Sequence, residues 1–218
     1  MTAVGTDLIF ACATKTGGSL VHGWNRMIDW RVVRRLAAGS LPASLLTMLV
    51  LYISDADART LNALVTQVLG VALLFTAAAL IFRRRLLETY SRRVGVLSPA
   101  KTRLFTILTG VALGALVTIS SVGAGALGVT ALILLYPELP AVKIAASDIA
   151  HAVPLTLVAG IGHLMTGGID IMVLVSLLLG SLPGIVLSSL FAPRMPDRAL
   201  RLILACTLLV VAVRLLYA

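Results

Sequence analysis

The sequence predicts an all-α fold: a polytopic bundle of transmembrane helices, built from two homologous repeats and containing a broken helix. Three observations carry this. Hydrophobic residues make up 59% of the 218 residues and charged residues only 12%, with a mean hydropathy of +1.04; a soluble domain is nearer half apolar and a quarter charged. Several apolar runs approach the roughly 20 residues that a membrane-crossing helix needs. The chain also matches itself at an offset of 141 residues.

In that register Asp7 meets Asp148, Ala11 meets Ala152, His22 meets His163, and Ile28-Asp29 meets Ile169-Asp170. Val32 meets Val173, Leu36 meets Leu177, GSLP at 39–42 meets GSLP at 180–183, and Leu46 meets Leu187. That is 12 identities over 3–46 without a gap. Apolar composition alone does not generate two Asp pairs, a His pair and a four-residue match in one register, so the duplication is internal. The chain divides into a first repeat (1–82), a basic cytoplasmic linker (83–103) and a second repeat (104–218). The second aspartate helix is preceded by about forty residues holding a span and a glycine-rich break. The first is expected to have had the same prelude, so the chain reads as N-terminally shortened.

In chain order, spans are expected near 3–22, 36–53, 61–82, 104–119, 126–136 (a short one), 142–163, 171–191 and 199–217. The first carries Asp7, Lys15 and His22. At 100° per residue Lys15 and His22 lie about 80° and 60° from Asp7, making one inward polar stripe. In the second copy Thr156 and His163 take the places of Lys15 and His22, and His151 lies about 60° the other way from Asp148. A charge at the bilayer centre costs at least ~2.5–3.5 kcal/mol on insertion scales, which marks both aspartates as functional. The competing reading makes Thr6-Asp7 and Ser147-Asp148 helix N-caps near the interface. Asp29 and Asp170 directly precede apolar runs and read as N-caps. Pro42 and Pro183 kink or start their spans.

Arg26, Arg31, Arg34 and Arg35 cluster before the second span, and Arg83, Arg84, Arg85, Arg92, Arg93, Lys101 and Arg103 before the fourth. The positive-inside bias places both clusters on the cytoplasmic side, and the acidic loop SDADART at 54–60 outside. The paired loops carry opposite charge biases, which points to an inverted repeat. No aromatic interleaving accompanies the arginines, so nucleic acid is not an expected partner.

GAGALG at 123–128 fits GxGxxG. A dinucleotide site needs a strand before it and a soluble βαβ unit around it. Here both flanks are apolar at membrane depth. One reading is close helix packing through small residues. The other is a discontinuous helix whose half-helix N-terminus turns free N–H groups and the positive dipole end toward an anion. The candidate anion-binding residues are Ser120, Ser121, Gly123, Gly125 and Gly128, with Thr6 and Lys15 assisting. The candidate proton-coupling residues are Asp7, Asp148, His22, His151 and His163, histidine because it titrates near neutral pH.

The start MTAVGTDLIFACATK has no basic leader and does not read as a signal peptide. Cys12 and Cys206 are isolated and imply neither disulfide nor metal. No HExxH, CxxC or GxSxG occurs, and no nucleophile stands beside a carboxylate pair. No catalytic residue, metal or cofactor is therefore expected, and the chain does not read as an enzyme.

AVGTDLIFACATKTGGSLVHG with IDWRVVRRLAAGSLPASLL resembles the first half of the TauE/SafE sulfite exporter family of permeases. SSVGAGALGVTALILLYPELPAVKIAASDIAHAVPLTLVAG with the second GSLPG resembles its second half. The resemblance spans nearly the whole chain, although members usually carry a first glycine-rich segment too. It implies a secondary transporter of anionic sulfur compounds such as sulfite, sulfoacetate and organosulfonates. The location would be the bacterial inner membrane, multi-pass. The Ser120–Gly128 segment and the Asp7 and Asp148 helices match positions lining the family's central pathway. The expected partners are a small anionic substrate and the lipid bilayer, with a homo-oligomer left open. The alternative is a non-transporting membrane subunit or a degenerate, truncated transporter.

Overall fold

The computed structural model describes residues 2–24, 26–53, 98–121, 125–167 and 169–191, with scattered positions between 67 and 82 and between 206 and 214. The continuous stretches form α1 (Thr2–Trp24), α2 (Trp30–Ile53), α3 (Pro99–Ser120), α4 (Ala126–Leu135), α5 (Ala141–Gly167) and α6 (Ile171–Phe191). No strand occurs among the described residues. By length and composition, α2, α3 and the Val142–Met165 stretch of α5 are long and apolar enough to cross a membrane. The expected acidic loop at 54–60 and the arginines at 83–93 lie outside the described residues.

Two helices start earlier than their apolar runs suggest. α2 begins at Trp30 rather than 36 because Asp29 caps it: its Oδ1 accepts from the N–H of Arg31 at 2.9 Å and of Val32 at 3.3 Å. Asp170 caps α6 in the same way, accepting from Val173 N–H at 2.9 Å. α3 begins at Pro99, whose missing N–H costs nothing in the first turn. Arg31, Arg34, Arg35, Lys101 and Arg103 thereby lie on the first turns of helices rather than in loops. Pro42 sits inside α2 and Pro154 inside α5.

α5 is the central helix. It packs on α1, α2, α3 and α4, while α1 packs mainly on α5 and, less extensively, on α6. α1 and α5 are antiparallel: Gly18 faces Ile149 near one end, and Gly160 faces Leu8 and Ile9 near the other. α2 and α3 are parallel, with Leu36 against Gly110, Ser40 against Gly114 and the Ser44 hydroxyl bonded to Thr118. A parallel pair requires the chain to recross between its members. The apolar run 61–82 lies between them, and its described positions are helical. At Gly39, Gly110 and Gly114 an added β-carbon would overlap backbone atoms of the facing helix. The two backbones therefore touch, which is how small residues hold helices together where lipid removes the hydrophobic drive.

One core cluster joins Val32, Leu36, Leu132, Tyr136 and Ile144 at the end where α2, α3 and α5 begin. A second joins Leu8, Val117, Leu155 and Ala159 toward the other end. The first end is basic and carries exposed Trp24 and Trp30, the residue type that favours the headgroup level. Outward faces are apolar, with Leu45, Leu46, Leu49, Val50 and Ile53 all more than half exposed on α2, a surface suited to lipid.

The aspartate helices are pinned by a reciprocal pair of hydrogen bonds. The Asp29 N–H donates to Ser147 Oγ at 2.9 Å, and the Asp170 N–H donates to Thr6 Oγ1 at 3.0 Å. Each hydroxyl in turn donates to the carbonyl four residues back, Ser147 to Lys143 at 2.7 Å and Thr6 to Thr2 at 2.8 Å. The three residue pairs, Asp29 and Asp170, Thr6 and Ser147, and Thr2 and Lys143, all obey the offset of 141. Removing either hydroxyl strands a backbone N–H at a helix entry, so Thr6→Val and Ser147→Ala are each expected to cost ~1 kcal/mol. Thermal unfolding in detergent should show two similar decreases in Tm.

Candidate functional site

The chain breaks its helical course after α3. Ser121 adopts the left-handed conformation (φ 59°) and its N–H bonds Val117 O at 2.7 Å, which closes the helix. Gly125 precedes α4 at φ 133°, ψ −98°, a backbone shape that side chains rarely permit. Gly123, expected in the anion site, lies outside the described residues. α4 then starts deep in the bundle. Gly128, in its first turn, meets the Asp148 carboxylate of α5 and, at 3.3 Å from an added β-carbon, the Leu113 side chain halfway along α3. At its other end Tyr136 reaches the basic end, where its hydroxyl lies 3.0 Å from Arg35 Nη1 and 2.9 Å from Thr106 Oγ1. Ten residues at 1.5 Å each give ~15 Å, half of a ~30 Å hydrocarbon core. α4 is therefore a half-length helix with its N-terminus at mid-depth. Its first described backbone bond runs from Val129 N–H to Gly125 O. The N–H groups before it are the orphan donors of a helix start.

Asp148 faces that start. It is 2% exposed, and its Oδ1 is buried with no hydrogen-bond partner. Lys15 reaches in from α1 and interacts electrostatically with both Asp148 and Asp7. His151, one turn along α5 from Asp148, is fully buried and also feels Lys15. Its Nε2 lies 2.7 Å from the Ser40 hydroxyl of α2, and its Nδ1 has no partner. Asp148 and His151 thus stand one turn apart on α5, Asp148 beside the start of α4, and both interact electrostatically with Lys15 of α1. A carboxylate there is offset by a nearby ammonium and by the positive end of a helix dipole, the two terms that make a mid-membrane charge tolerable. At Gly128 any β-carbon would overlap Asp148 Oδ1. Glycine is what lets the carboxylate approach the α4 backbone.

The N-cap reading of the two aspartates is corrected by the helices. Asp7 and Asp148 lie inside α1 and α5, and Thr6 and Ser147 send their hydroxyl protons to carbonyls one turn back. The stripe reading holds for burial on α5, where Asp148, His151, Thr156 and His163 are all buried. It does not carry over to α1, where Lys15 and His22 are half-buried and Asp7 is exposed. The reason is that α5 is wrapped by four described helices and α1 by two.

The remaining candidates separate by depth. Asp7 sits near the end away from the arginines and accepts a 2.7 Å hydrogen bond from Ser121 Oγ, tying α1 to the break after α3. Ser120 is buried and its hydroxyl donates to Leu116 O at 2.8 Å. Thr6 is engaged between Thr2 and Asp170. His22 lies in the last turn of α1, about 22 Å from Asp7 along the helix. His163 Nε2 lies 2.7 Å from Thr118 O; a carbonyl only accepts, so that nitrogen carries the proton. Neither histidine joins the Asp148 cluster. Among the described residues no group of three His, Cys, Asp or Glu side chains is placed to hold a metal.

Sequence reasoning passed over Ser40, Ser44, Thr118 and Tyr136, the polar partners that α2, α3 and the α4–α5 turn bring to the buried histidines and to Arg35. Only Ser40 had a signal, its place in the repeated GSLP.

The sulfite exporter TauE/SafE family model matches residues 1–215 of the chain. A curated relative, the probable membrane transporter protein YjnA of Bacillus subtilis (strain 168), is 35% identical over 215 residues, covering 98% of this chain and 84% of its own length. No solved structure matches the chain significantly.

Proposed function

Because the chain belongs to the sulfite exporter TauE/SafE family of membrane transporters, we propose that it is a multi-pass inner-membrane secondary transporter of small sulfur oxyanions or organosulfonates. It acts by binding and releasing its substrate, with no covalent chemistry. The observation that carries the reading is the meeting of a buried carboxylate, whose Oδ1 has no hydrogen-bond partner, with the mid-depth N-terminus of α4. A half-helix start is a place where an anion is favoured. Here the protein's own anion, Asp148, occupies it. A second anion cannot enter beside an ionised Asp148 without like-charge repulsion in a medium of low dielectric. Proton binding at Asp148 removes that repulsion, so anion entry and proton uptake are coupled through one position.

The other groups have consistent places. Lys15 from α1 supplies the counter-charge, and His151 is the second titratable group in reach. In this reading Ser120, Ser121, Gly125 and Gly128 flank the route from the cluster toward Asp7. His22 and His163 lie at the helix ends, outside the coupling step.

Counterflow tests the substrate class. Proteoliposomes preloaded with unlabelled sulfoacetate should concentrate external labelled sulfoacetate transiently, and sulfite should compete. Chloride or a zwitterionic sulfonate at equal concentration should compete weakly. Counterflow with neither sulfonates nor sulfite would remove the sulfur-anion assignment while leaving the family intact.

A further inference from the structure

At the basic end, a cavity of about 400 Å3 opens between the first turns of α2 and α3 and the turn that follows α4. Arg31, Arg35, Thr102 and Tyr136 line it. It lies at the far end of α4 from Asp148, and nothing in the coupling cluster uses it. We propose that this cavity is a second oxyanion site, one that captures a sulfonate or phosphate group at the basic face.

Three features support it. Arg35 is half-buried and held in place: its Nη1 donates to Tyr136 Oη at 3.0 Å, and Tyr136 Oη lies 2.9 Å from the buried Thr106 hydroxyl. A guanidinium fixed by one N–H still presents a planar fork of donors, the geometry that suits tetrahedral oxyanions. Second, the acidic residues on the wall do not cancel the arginines evenly. Asp29 accepts the α2 N-terminal N–H groups through Oδ1, and Glu138 is exposed, as is Arg31, which leaves half-buried Arg35 as the enclosed charge of the wall. The first turn of α3 also borders the cavity through Pro99, and its N-cap Ser98 makes no side-chain cap bond. Third, the duplication does not extend to this feature. At the offset of 141, Arg31, Arg34 and Arg35 correspond to Met172, Val175 and Ser176. The scaffold is repeated and the cationic lining is not, so the repeated packing does not depend on these arginines.

The oxyanion has two sources, a soluble anion or the phosphate of an anionic phospholipid, since the cavity lies at the basic end, which also carries exposed Trp24 and Trp30. The test uses full-length protein in phosphatidylcholine nanodiscs and compares wild type with the Arg31→Gln/Arg35→Gln double variant and with Tyr136→Phe. Soluble binding is read by calorimetry with sulfoacetate, and lipid binding by native mass spectrometry after exposure to phosphatidylglycerol. The double variant should weaken one of the two by about tenfold or more. Loss of sulfoacetate affinity identifies the soluble anion, and loss of phosphatidylglycerol retention identifies the headgroup. Tyr136→Phe keeps both charges and removes only the Arg35 anchor, so it should weaken the same ligand by a smaller factor. The same arginine substitutions made in an Asp148→Asn background should produce the same drop, so the difference between the two arginine states, and not total sulfoacetate binding, reads this end and separates failure of this inference from failure of the transport reading. Unchanged sulfoacetate and phosphatidylglycerol binding in a monodisperse double variant would overturn it.

Discussion

Asp148→Asn is expected to leave the protein folded and to abolish accumulation of sulfoacetate driven by a pH gradient. The amide keeps the shape of the carboxylate against Gly128 and removes both the charge and the titration. The buried Oδ1 has no hydrogen-bond partner to lose, so the fold should tolerate the change, and removing a buried charge even relieves a desolvation cost. Exchange of anion for anion needs no proton and should survive. Net uptake against a gradient should fall by at least about tenfold, corresponding to ~1.4 kcal/mol of lost coupling. Size-exclusion profile, counterflow and gradient-driven uptake on one preparation give the three readouts. Loss of all three together would make Asp148 a structural residue and move the coupling elsewhere.

Gly114→Leu is expected to be strongly destabilising. Even a β-carbon at Gly114 would overlap the Ser40 backbone, and backbone cannot rotate away as a side-chain tip can. The helices must part, which also breaks the Thr118 to Ser44 bond of 2.7 Å one turn on and shifts Ser40 from His151. Overpacking of a well-packed site costs typically ~1–3 kcal/mol, and more where several contacts fail together. Gly114→Leu should therefore reduce the yield of monodisperse protein, with Gly114→Ala intermediate. Gly17, which has open space around its β-position, is the matched control: Gly17→Ala should retain wild-type yield.

The pattern of helices was legible because membrane helices announce themselves by length and apolarity, and because Asp29 and Asp170 sit where caps must sit. The short fifth span was legible too, since Gly125 and the ten apolar residues after it leave room for little else. What the sequence concealed is which faces meet. Nothing in GSLP says that Ser40 lies against His151, or that Leu36, Ser40 and Ser44 run parallel to Gly110, Gly114 and Thr118. That pairing depends on a crossing far away in the chain. The two aspartates shared one sequence signal, yet their surroundings differ: Asp148 is enclosed by α1, α3 and α4, while Asp7 lies open beside Ser121. Equal motifs gave unequal sites because the helices packed around them are not equal. Of the basic residues, Arg31, Arg34, Arg35, Lys101 and Arg103 share one end of the described helices, but the fixed geometry of Arg35 came from Tyr136, which no pattern singled out.

The central claim is that a small sulfur anion crosses this protein together with a proton. The direct measurement is uptake of labelled sulfoacetate into proteoliposomes of the wild-type chain, with the pH gradient imposed first in one direction and then in the other. The account expects accumulation in one direction of the gradient, reversal in the other, and dissipation of both by a protonophore. Uptake that is identical to protein-free liposomes in both directions, or that is indifferent to the gradient, would contradict it.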